Sequence, residues 1–531
     1  MAAAAEAAGL KYDAVESIPQ INKELRAAFL TGKTRSIEYR QNQLKQLAFM
    51  LQDNEDAFCE ALNKDLGRHK FESMFAELMT TITEAVEAVH SVKSWAKKEK
   101  VSPGLAWGFH NPHVRREPKG TVLILGAWNY PLTVQIGPLI GAIAAGNTCV
   151  LKPSEVSAHS AKLISDLFPK YLDPECYRAV NGGIPQSTAL LDCRWEHILY
   201  TGNGTVGRIV AEKAAKWLCP TTLELGGKSP TWVDETADLP IAAKRILWGK
   251  QFNVGQTCVA PDYVLCTKKV QSQLVAEFKK AADQFWPKGQ EAATDQQSKM
   301  VNEGHWKRVK GMLEGTNGKI VLGGPPEDNK SQSRAFPLVV VSDVKPDDSI
   351  MTGEIFGPVL PIVAVQNVDE AIQFINSRDQ PLALYSFSAN SDKLIENCRS
   401  GGVLTGDILL HNAVGSLPFG GTGPSGYGAY HGKWGFDEFS HKRAVLEAPH
   451  RGIMGHAVEM LMKGRYPPYN IKNLSMLGFL AGKKANFARP KNPHASVTKP
   501  NSSGLVRKLV YLVALLSLVL GARSRGLITA F

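Results

Sequence analysis

Ile198-Leu199-Tyr200-Thr201-Gly202-Asn203-Gly204-Thr205-Val206-Gly207, followed by a helical run over 208–218, is the stretch on which the fold turns. Ile198 to Thr201 has strand character and ends in a turn with glycine at its first, third and sixth positions. Strand, glycine-rich turn and helix in that order are the parts of a dinucleotide-binding βα unit. Glycine lets backbone approach a ligand closely, and free N–H groups at a helix N-terminus favour a pyrophosphate. Gly202, Asn203, Gly204, Thr205, Val206 and Gly207 are therefore candidate cofactor contacts. The spacing by itself also fits an ordinary tight βα turn. The pattern asks for an acid about 20 residues on to hold a ribose hydroxyl, and Glu224 stands 22 positions after Gly202.

The same alternation recurs on both sides. Upstream, 121–125 is a short apolar run ending at Gly126, and 148–151 is another, with an apolar helix-like run over 136–145 between them. Downstream, apolar runs return at 231–233, 264–266, 321, 338–341, 359–365 and 384–388. Strands alternating with helices at this spacing predict parallel α/β layers. Residues 15–95 differ. Their apolar positions repeat at helical spacing, with Ile21, Leu25, Ala28 and Phe29 on one face, a second run over 39–66 and a third over 71–95. No internal repeat is visible.

The chain has 531 residues, about three units at roughly 150 residues each. Hydrophobic residues at 44% and charged residues at 21% exclude a mainly disordered chain, a collagen-like fibre and a multi-span membrane protein. Eight cysteines, without a CxxC pair or a His/Cys cluster at zinc spacing, predict free thiols in a reducing compartment and no metal site. The net charge of +11 belongs to the tail. Residues 451–531 hold 13 Lys/Arg and one acid, Glu459, whereas 1–450 hold 48 basic and 49 acidic residues. A neutral body argues against a nucleic-acid partner.

The first residues, MAAAAEAAGLKYDAVE, lack a basic region and a long apolar core and carry Glu6, so no secretory or mitochondrial address is expected. Near the other end, 466–503 is rich in Pro, Asn, Lys and Ser and reads as a linker. Residues 509–522 are apolar all round apart from Ser517, with Arg507 and Lys508 before them and Arg523 and Arg525 after. Such a helix reaches about 21 Å against a hydrocarbon layer of about 30 Å. Snorkelling of Arg507 and Arg523, or a thin bilayer, narrows that gap. The expectation is a C-terminal apolar helix acting as a membrane anchor, its polybasic linker suited to an anionic surface. The alternative is a terminal helix packed on the body or on a partner subunit.

Cys258 lies in Asn253-Val254-Gly255-Gln256-Thr257-Cys258, followed by Val259-Ala260-Pro261. A thiol in such a polar, glycine-containing stretch is expected to be accessible, and with a base nearby it is a candidate nucleophile. The other seven cysteines read as small buried apolar residues. Gly227-Lys228-Ser229 looks like the end of a phosphate-binding loop, but that pattern needs glycine at position 222, where the chain has Thr222.

Leu223-Glu224-Leu225-Gly226-Gly227-Lys228-Ser229-Pro230, with Cys258 34 positions after the glutamate, resembles the NAD(P)-dependent aldehyde dehydrogenases. The likeness runs over roughly 20–448. It includes Trp128-Asn129-Tyr130-Pro131, Lys152-Pro153-Ser154-Glu155, Glu354-Ile355-Phe356-Gly357-Pro358 and Leu417-Pro418-Phe419-Gly420-Gly421. The Trp-Asn-Tyr-Pro string, Tyr430-His431-Gly432-Lys433 and Phe439-Ser440-His441-Lys442 point to the class 3 branch, which includes the fatty aldehyde dehydrogenases, some with a C-terminal anchor. Three departures stand out. Thr405-Gly406-Asp407 replaces the usual Val-Asn-Asp, Gly353 replaces one of a glutamate pair, and Gly415 replaces a more polar residue. The first and third bear on substrate range rather than on the chemistry.

The resemblance implies an α/β fold with a Rossmann-like cofactor domain, an α/β catalytic domain and a small bridging element. The expected divisions are 1–225 for the dinucleotide domain, with a bridging segment near 101–120, then 226–412 for the catalytic domain. A return and oligomerisation segment at 413–450, a basic linker at 451–503 and the anchor candidate at 504–531 follow. It also implies that Cys258 is the nucleophile, that Asn129 and the Cys258 N–H stabilise the oxyanion, and that Glu224 is the general base rather than a ribose ligand. Lys152 and Glu155 are expected at the adenine ribose, and Glu354 and Phe356 at the nicotinamide ribose. The expected cofactor is NAD, with NADP left open, because a carboxylate at Glu155 repels a 2′-phosphate. The expected protein is a homodimer that oxidises medium- or long-chain aldehydes, cytosolic in its body and tethered to an organelle membrane such as the endoplasmic reticulum. Two rivals remain: an enzyme for a non-lipid aldehyde with the tail as a gating helix, cytoplasmic in that case, and a tethered scaffold without catalysis.

Overall fold

The computed structural model describes residues 2–103, 105–293, 295–328, 331–482, 485 and 487. They fall into two compact units, one holding 111–447 together with the residues up to 102, the other 103–110 with the residues from 448 on.

In the larger unit the helices come first. Ile18–Leu30 starts with proline in its first turn, and Ile37–Gln52 is capped by Ser36, whose hydroxyl accepts the Tyr39 N–H at 3.2 Å. The single run expected over 39–66 is two helices, Ile37–Gln52 and Glu55–Leu66. Asn54 makes the break. Its side-chain amide donates to the Met50 carbonyl at 2.8 Å, closing the first helix where the next begins. The run expected over 71–95 is also interrupted: Lys70–Ser73 and Met79–Trp95 are joined through a π-helical turn, Met74–Leu78. That wide turn carries a buried acid, Glu77.

Two parallel sheets follow. The first has six strands in the order Gly426–Tyr427, Thr221–Glu224, His197–Thr201, Thr121–Leu125, Thr148–Lys152 and Tyr177–Ala179. Only the Gly426–Tyr427 edge runs antiparallel. Thr121–Leu125 and Thr148–Lys152 are buried along their whole length, as strands covered on both faces must be. Between them runs Thr133–Ala145, a helix whose residues from Val134 on are all buried. The chain leaves the central strand Thr121–Leu125 on one side and His197–Thr201 lies on the other. The order therefore reverses between them, and such a switch point opens a crevice at the carboxyl ends of the strands. Leu125 pairs with Lys152 on one side and Tyr200 on the other, so all three stand abreast at that edge.

The second sheet has seven strands in the order Lys319–Leu322, Val339–Ser342, Val359–Ala364, Tyr263–Cys266, Pro230–Val233, Ala383–Phe387 and Gly402–Thr405, parallel apart from the first pair. Six of its strands lie within a residue or two of the apolar runs that predicted them, whereas the edge strand Gly402–Thr405 matches none of those runs. A third, antiparallel sheet joins Glu99–Lys100, His113–Pro118 and Ser440–Val445.

The smaller unit contains the 3₁₀ turn Leu105–His110 and the helices Gly452–Met462 and Asn473–Ala481. Among the described residues no helix is long and apolar enough to cross a membrane. The apolar run 509–522 and the rest of the expected anchor lie outside the described residues.

Candidate active site

Cys258 follows a turn that ordinary residues avoid. The helix Leu239–Gln251 ends, and Asn253, Val254 and Gly255 then adopt φ of +50°, +50° and +73° in succession. A left-handed valine is a genuine outlier, and such residues persist only where their surroundings over-determine them. Here they do. The Asn253 side-chain amide donates to the Asn129 carbonyl at 2.9 Å and to the Gln256 carbonyl at 3.0 Å. The Asn253 N–H donates to Glu72 at 3.3 Å. The Gln256 side chain donates to the Lys299 carbonyl at 3.0 Å and accepts the Val301 N–H at 2.8 Å. A Cβ on Gly255 would lie 2.3 Å from the Gly357 carbonyl oxygen, so only glycine fits.

Asn129 is held from both sides. Its backbone carbonyl accepts Arg68 Nη2 at 2.7 Å, and its side-chain Nδ2 donates to the Gln256 carbonyl at 3.2 Å, leaving its second N–H for another acceptor. Arg68 forms a wholly buried ion pair with Glu77. The Glu77 carboxylate also accepts the N–H groups of Leu132 and Thr133 at 2.6 and 3.2 Å. The guanidinium lies 4.8 Å from the Tyr130 ring centroid, and the Tyr130 hydroxyl meets that of Thr257 at 2.7 Å, one residue before the thiol.

Glu224 ends its strand buried, and neither carboxylate oxygen has a hydrogen-bond partner. Burial and the nearby Glu438 push its carboxyl well above the usual range. Its backbone carbonyl accepts the Gly202 N–H at 3.0 Å, tying the base candidate to the glycine-rich turn. The Cys258 thiol is half-buried rather than freely exposed. Burial pushes it up, and so do the charges of Glu354 and Glu224. Cys258, Glu224 and Glu354 therefore share one electrostatic neighbourhood, and Asn129 is fixed to the loop that carries the thiol.

Cys258 also lines an apolar channel of about 310 Å³ with Phe75, Met79, Trp248, Phe252, Leu409 and Phe419 among its walls. Asn129 and Glu224 are not among the residues lining it. Because the thiol is raised, its alkylation by iodoacetamide in the full chain should be slow at neutral pH and climb into the alkaline range. An unperturbed thiol would already react with a midpoint near about 8.5. Peptide mapping isolates Cys258 from the other thiols, and a rate levelling off by neutral pH would contradict this electrostatic account.

Of the residues expected from sequence at the dinucleotide, Lys152 and Glu155 and the 202–207 turn lie at or just after the carboxyl ends of two strands of the first sheet, whereas Glu354 and Phe356 precede the Val359–Ala364 strand of the second. Lys152 Nζ meets Glu155 at 2.8 Å and the Pro153 carbonyl at 3.0 Å. The helix expected from residue 208 begins at Gly204 and runs to Ala215, because the Asn203 side chain accepts the Val206 N–H at 3.0 Å and caps it. The glycines divide by role. A Cβ on Gly202 would lie 2.2 Å from the Tyr200 hydroxyl and one on Gly207 2.9 Å from Leu225, whereas Gly204 has nothing nearer than 3.5 Å. Gly204 is thus open, and Val206 and Ile209 beside it are exposed apolar side chains. An open helix N-terminus, an apolar surface and an ion-paired lysine and carboxylate on one sheet edge fit a pyrophosphate, an adenine and ribose hydroxyls. Glu354 lies beside Gly226, where a Cβ would be 2.0 Å from its Oε2. Phe356 has φ +46°, with its ring edge-on to Trp128 at 5.4 Å.

Arg68, Glu72, Glu77, Asn253 and Gln256 were not singled out from sequence. Glu77 had a signal: it falls on the helical stripe of Thr81, Ala85, Ala88 and Val92, all buried, where a charge demands a partner. Among the described residues no group of His, Cys, Asp and Glu forms a metal site.

A parallel α/β body with a dinucleotide edge beside a thiol and a buried carboxylate defines a class of nucleotide-dependent oxidoreductases. Residues 4–445 match the model of the aldehyde dehydrogenase family, and the chain belongs to that family. It is an aldehyde dehydrogenase of the class 3 branch and uses NAD or NADP. It is 44% identical over 468 residues to mouse aldehyde dehydrogenase family 3 member A2, covering 88% of this chain and 94% of that protein. It is also 44% identical over 457 residues to the rat aldehyde dehydrogenase described as dimeric and NADP-preferring, covering 86% and 98%. Among solved structures, Staphylococcus aureus AldH in its substrate-bound state superimposes with a TM-score of 0.82 at 36% identity, covering 88% of this chain and 99% of that one.

Proposed function

We propose that the chain oxidises medium- and long-chain aldehydes to carboxylic acids through a covalent intermediate on Cys258. The observation that carries this reading is the position of that thiol, at once in the wall of an apolar channel and within the electrostatic reach of two carboxyls, the buried Glu224 and the half-buried Glu354.

Cys258 Sγ, once deprotonated, adds to the carbonyl carbon and makes it tetrahedral. The second N–H of Asn129 and the Cys258 backbone N–H receive the oxyanion. A bound nicotinamide dinucleotide supplies the two-electron acceptor. Glu224 then takes a proton from the water that hydrolyses the thioester left on Cys258. A carboxyl raised by burial is a stronger base once ionised, which is what attack on a thioester requires. Lys152 and Glu155 serve the adenine ribose, residues 202–207 the pyrophosphate, and Glu354 and Phe356 the nicotinamide ribose. Lys152 partly neutralises Glu155, so discrimination against a 2′-phosphate is weak and both dinucleotides are accommodated, NAD the better.

In this reading 1–225 form the dinucleotide half and 226–412 the catalytic half. Residues 413–450 return to the first sheet through Gly426–Tyr427 and then form Ser440–Val445, the edge strand of the third sheet, whose exposed residues suit pairing in a homodimer. The basic tail, 451–503, leads to an apolar anchor at 504–531 that holds the cytosolic body near a membrane, where lipid-derived aldehydes partition.

A series of n-alkanals tests the substrate class. Each methylene buried in the channel is worth about 0.8 kcal/mol, so kcat/KM should climb about fourfold per added carbon until the channel is full. A flat series, or a preference for short polar aldehydes, would contradict it. The same series on a chain ending at 503 separates anchor from gate. An anchor leaves the chain-length profile unchanged and frees the protein from vesicles, whereas a gate alters the profile.

A further inference from the structure

The channel that Cys258 lines has a charged side that the reaction scheme above does not use. One wall is the helix Met79–Trp95, which presents Met79, Thr80, Thr83, Glu84 and Glu87 to it. Their spacing of i, i+1, i+4, i+5 and i+8 puts them on one face, which runs for about 12 Å. Met79, Thr83 and Glu87 are exposed, so this face stands at the mouth.

Glu84 is half-buried, and its Oε1 accepts the Gly432 N–H at 2.8 Å. Glu87 reaches toward the segment that supplies Gly415 to the channel: a Cβ on Gly415 would lie 3.4 Å from its Oε2. Glycine at 415, one of the three departures noted in the sequence, therefore sets no side chain against this carboxylate. Neither glutamate forms an ion pair among the described residues, and no lysine or arginine lines the channel. His431 lines it too, but burial and the nearby His411 push its ring down to about 4, so it brings no positive charge. Tyr430 and His431 are 1% and 6% exposed. The hydroxyl of the one and the ring nitrogens of the other have no hydrogen-bond partner among the described residues, and both side chains belong to the channel wall. Buried polar atoms without partners in a cavity are left for a ligand.

Two uncompensated carboxylates at the mouth of a cleft with apolar walls focus a negative potential into it. We propose that Glu84 and Glu87 determine specificity by charge, admitting aldehydes whose distal end is neutral or cationic and rejecting those whose distal end is an anion. The proposal rests on the reading of this channel as the aldehyde's path to Cys258. Apolar walls alone disfavour a charge of either sign, because both must leave water. Only the glutamates tell one sign from the other.

The test compares three aldehydes of equal chain length on the full chain: an n-alkanal, its ω-carboxylate and its ω-trimethylammonium analogue. The assay runs at a pH well above the value of about 7 to which burial raises Glu84, so that both carboxyls are ionised. The cationic aldehyde should exceed the anionic one in kcat/KM by about tenfold or more, the effect of unit charges about 10 Å apart at an effective dielectric of about 20. Added salt should narrow that ratio. Glu84→Gln with Glu87→Gln should bring it toward one, and Glu87→Lys should shift it toward the anion. Glutamine at 84 keeps an acceptor for the Gly432 N–H, Glu87 is exposed, and thermal unfolding reports whether each variant folds. Equal kcat/KM for the two charged aldehydes in wild type would overturn the proposal, and so would a ratio that the glutamine and lysine variants leave unchanged. An n-alkanal series without chain-length dependence would instead remove the reading of the channel on which the proposal rests.

Discussion

Cys258→Ala should abolish aldehyde-dependent reduction of NAD⁺, lowering turnover by more than about 10⁴-fold, while leaving the dinucleotide bound. Cys258 is the one thiol placed to form the covalent bond. The remaining cysteines are buried or lie elsewhere, and none but Cys258 lines the channel. The substitution removes one half-buried sulfur and no hydrogen bond that holds the 253–256 turn, so stability should change by no more than about 1 kcal/mol. Absorbance at 340 nm follows turnover, and calorimetry follows NAD⁺ affinity. Turnover within about 10²-fold of wild type would take the nucleophile's role away from Cys258.

Glu224→Gln should separate the two halves of the reaction. Oxidation proceeds, one equivalent of reduced dinucleotide appears per site, and the thioester then waits for a water that nothing activates. The steady rate should fall by about 10²- to 10⁴-fold, the usual contribution of a positioned base, while the burst survives. Rapid mixing resolves the two phases, and mass spectrometry of the quenched protein shows the acyl group on Cys258. Steady turnover at the wild-type rate would sink the base assignment. The variant also has a signature in stability. Glu224 is raised in the folded chain, so between its unfolded and folded ionisation the native state holds a proton that the unfolded state has released. Stability therefore declines as pH rises through that window. Glutamine carries no such proton, and its melting temperature should gain on wild type toward alkaline pH.

Much of this architecture was open to a reader of the sequence because strands buried on both faces leave uninterrupted apolar runs. The segments around 121–125, 198–201, 264–266 and 384–388 were legible for that reason. The Glu224 and Cys258 strings carried the chemistry through family resemblance rather than through any pattern of their own, since half-burial of a thiol and two orphaned carboxylate oxygens are tertiary facts. The breaks in the N-terminal helices escape a sequence reading because they depend on one side chain, Asn54, and on a widened turn at 74–78. The helix begins at Gly204 rather than at 208 because Asn203 caps it, and a cap inside a glycine-rich turn is easily read as part of the turn. Least legible was the frame of the site. Arg68 reaches the Asn129 carbonyl across 61 positions and Glu72 reaches Asn253 across 181, and no local pattern records such a separation. The left-handed valine at 254 runs against every propensity rule, and only the contacts around it explain it.

The Arg68–Glu77 pair has an implication for how defects in this enzyme would present. It belongs to the helical N-terminal region, far along the chain from any atom that exchanges bonds or protons. Yet it grips the peptide group of Asn129, the residue proposed to stabilise the oxyanion. A lesion there would pass for a failure of chemistry in any assay of rate, with aldehyde and dinucleotide still accommodated. If Asn129 and Cys258 act as proposed, the opening helices are the jig that aligns them, and turnover depends on their upkeep as well as on the thiol.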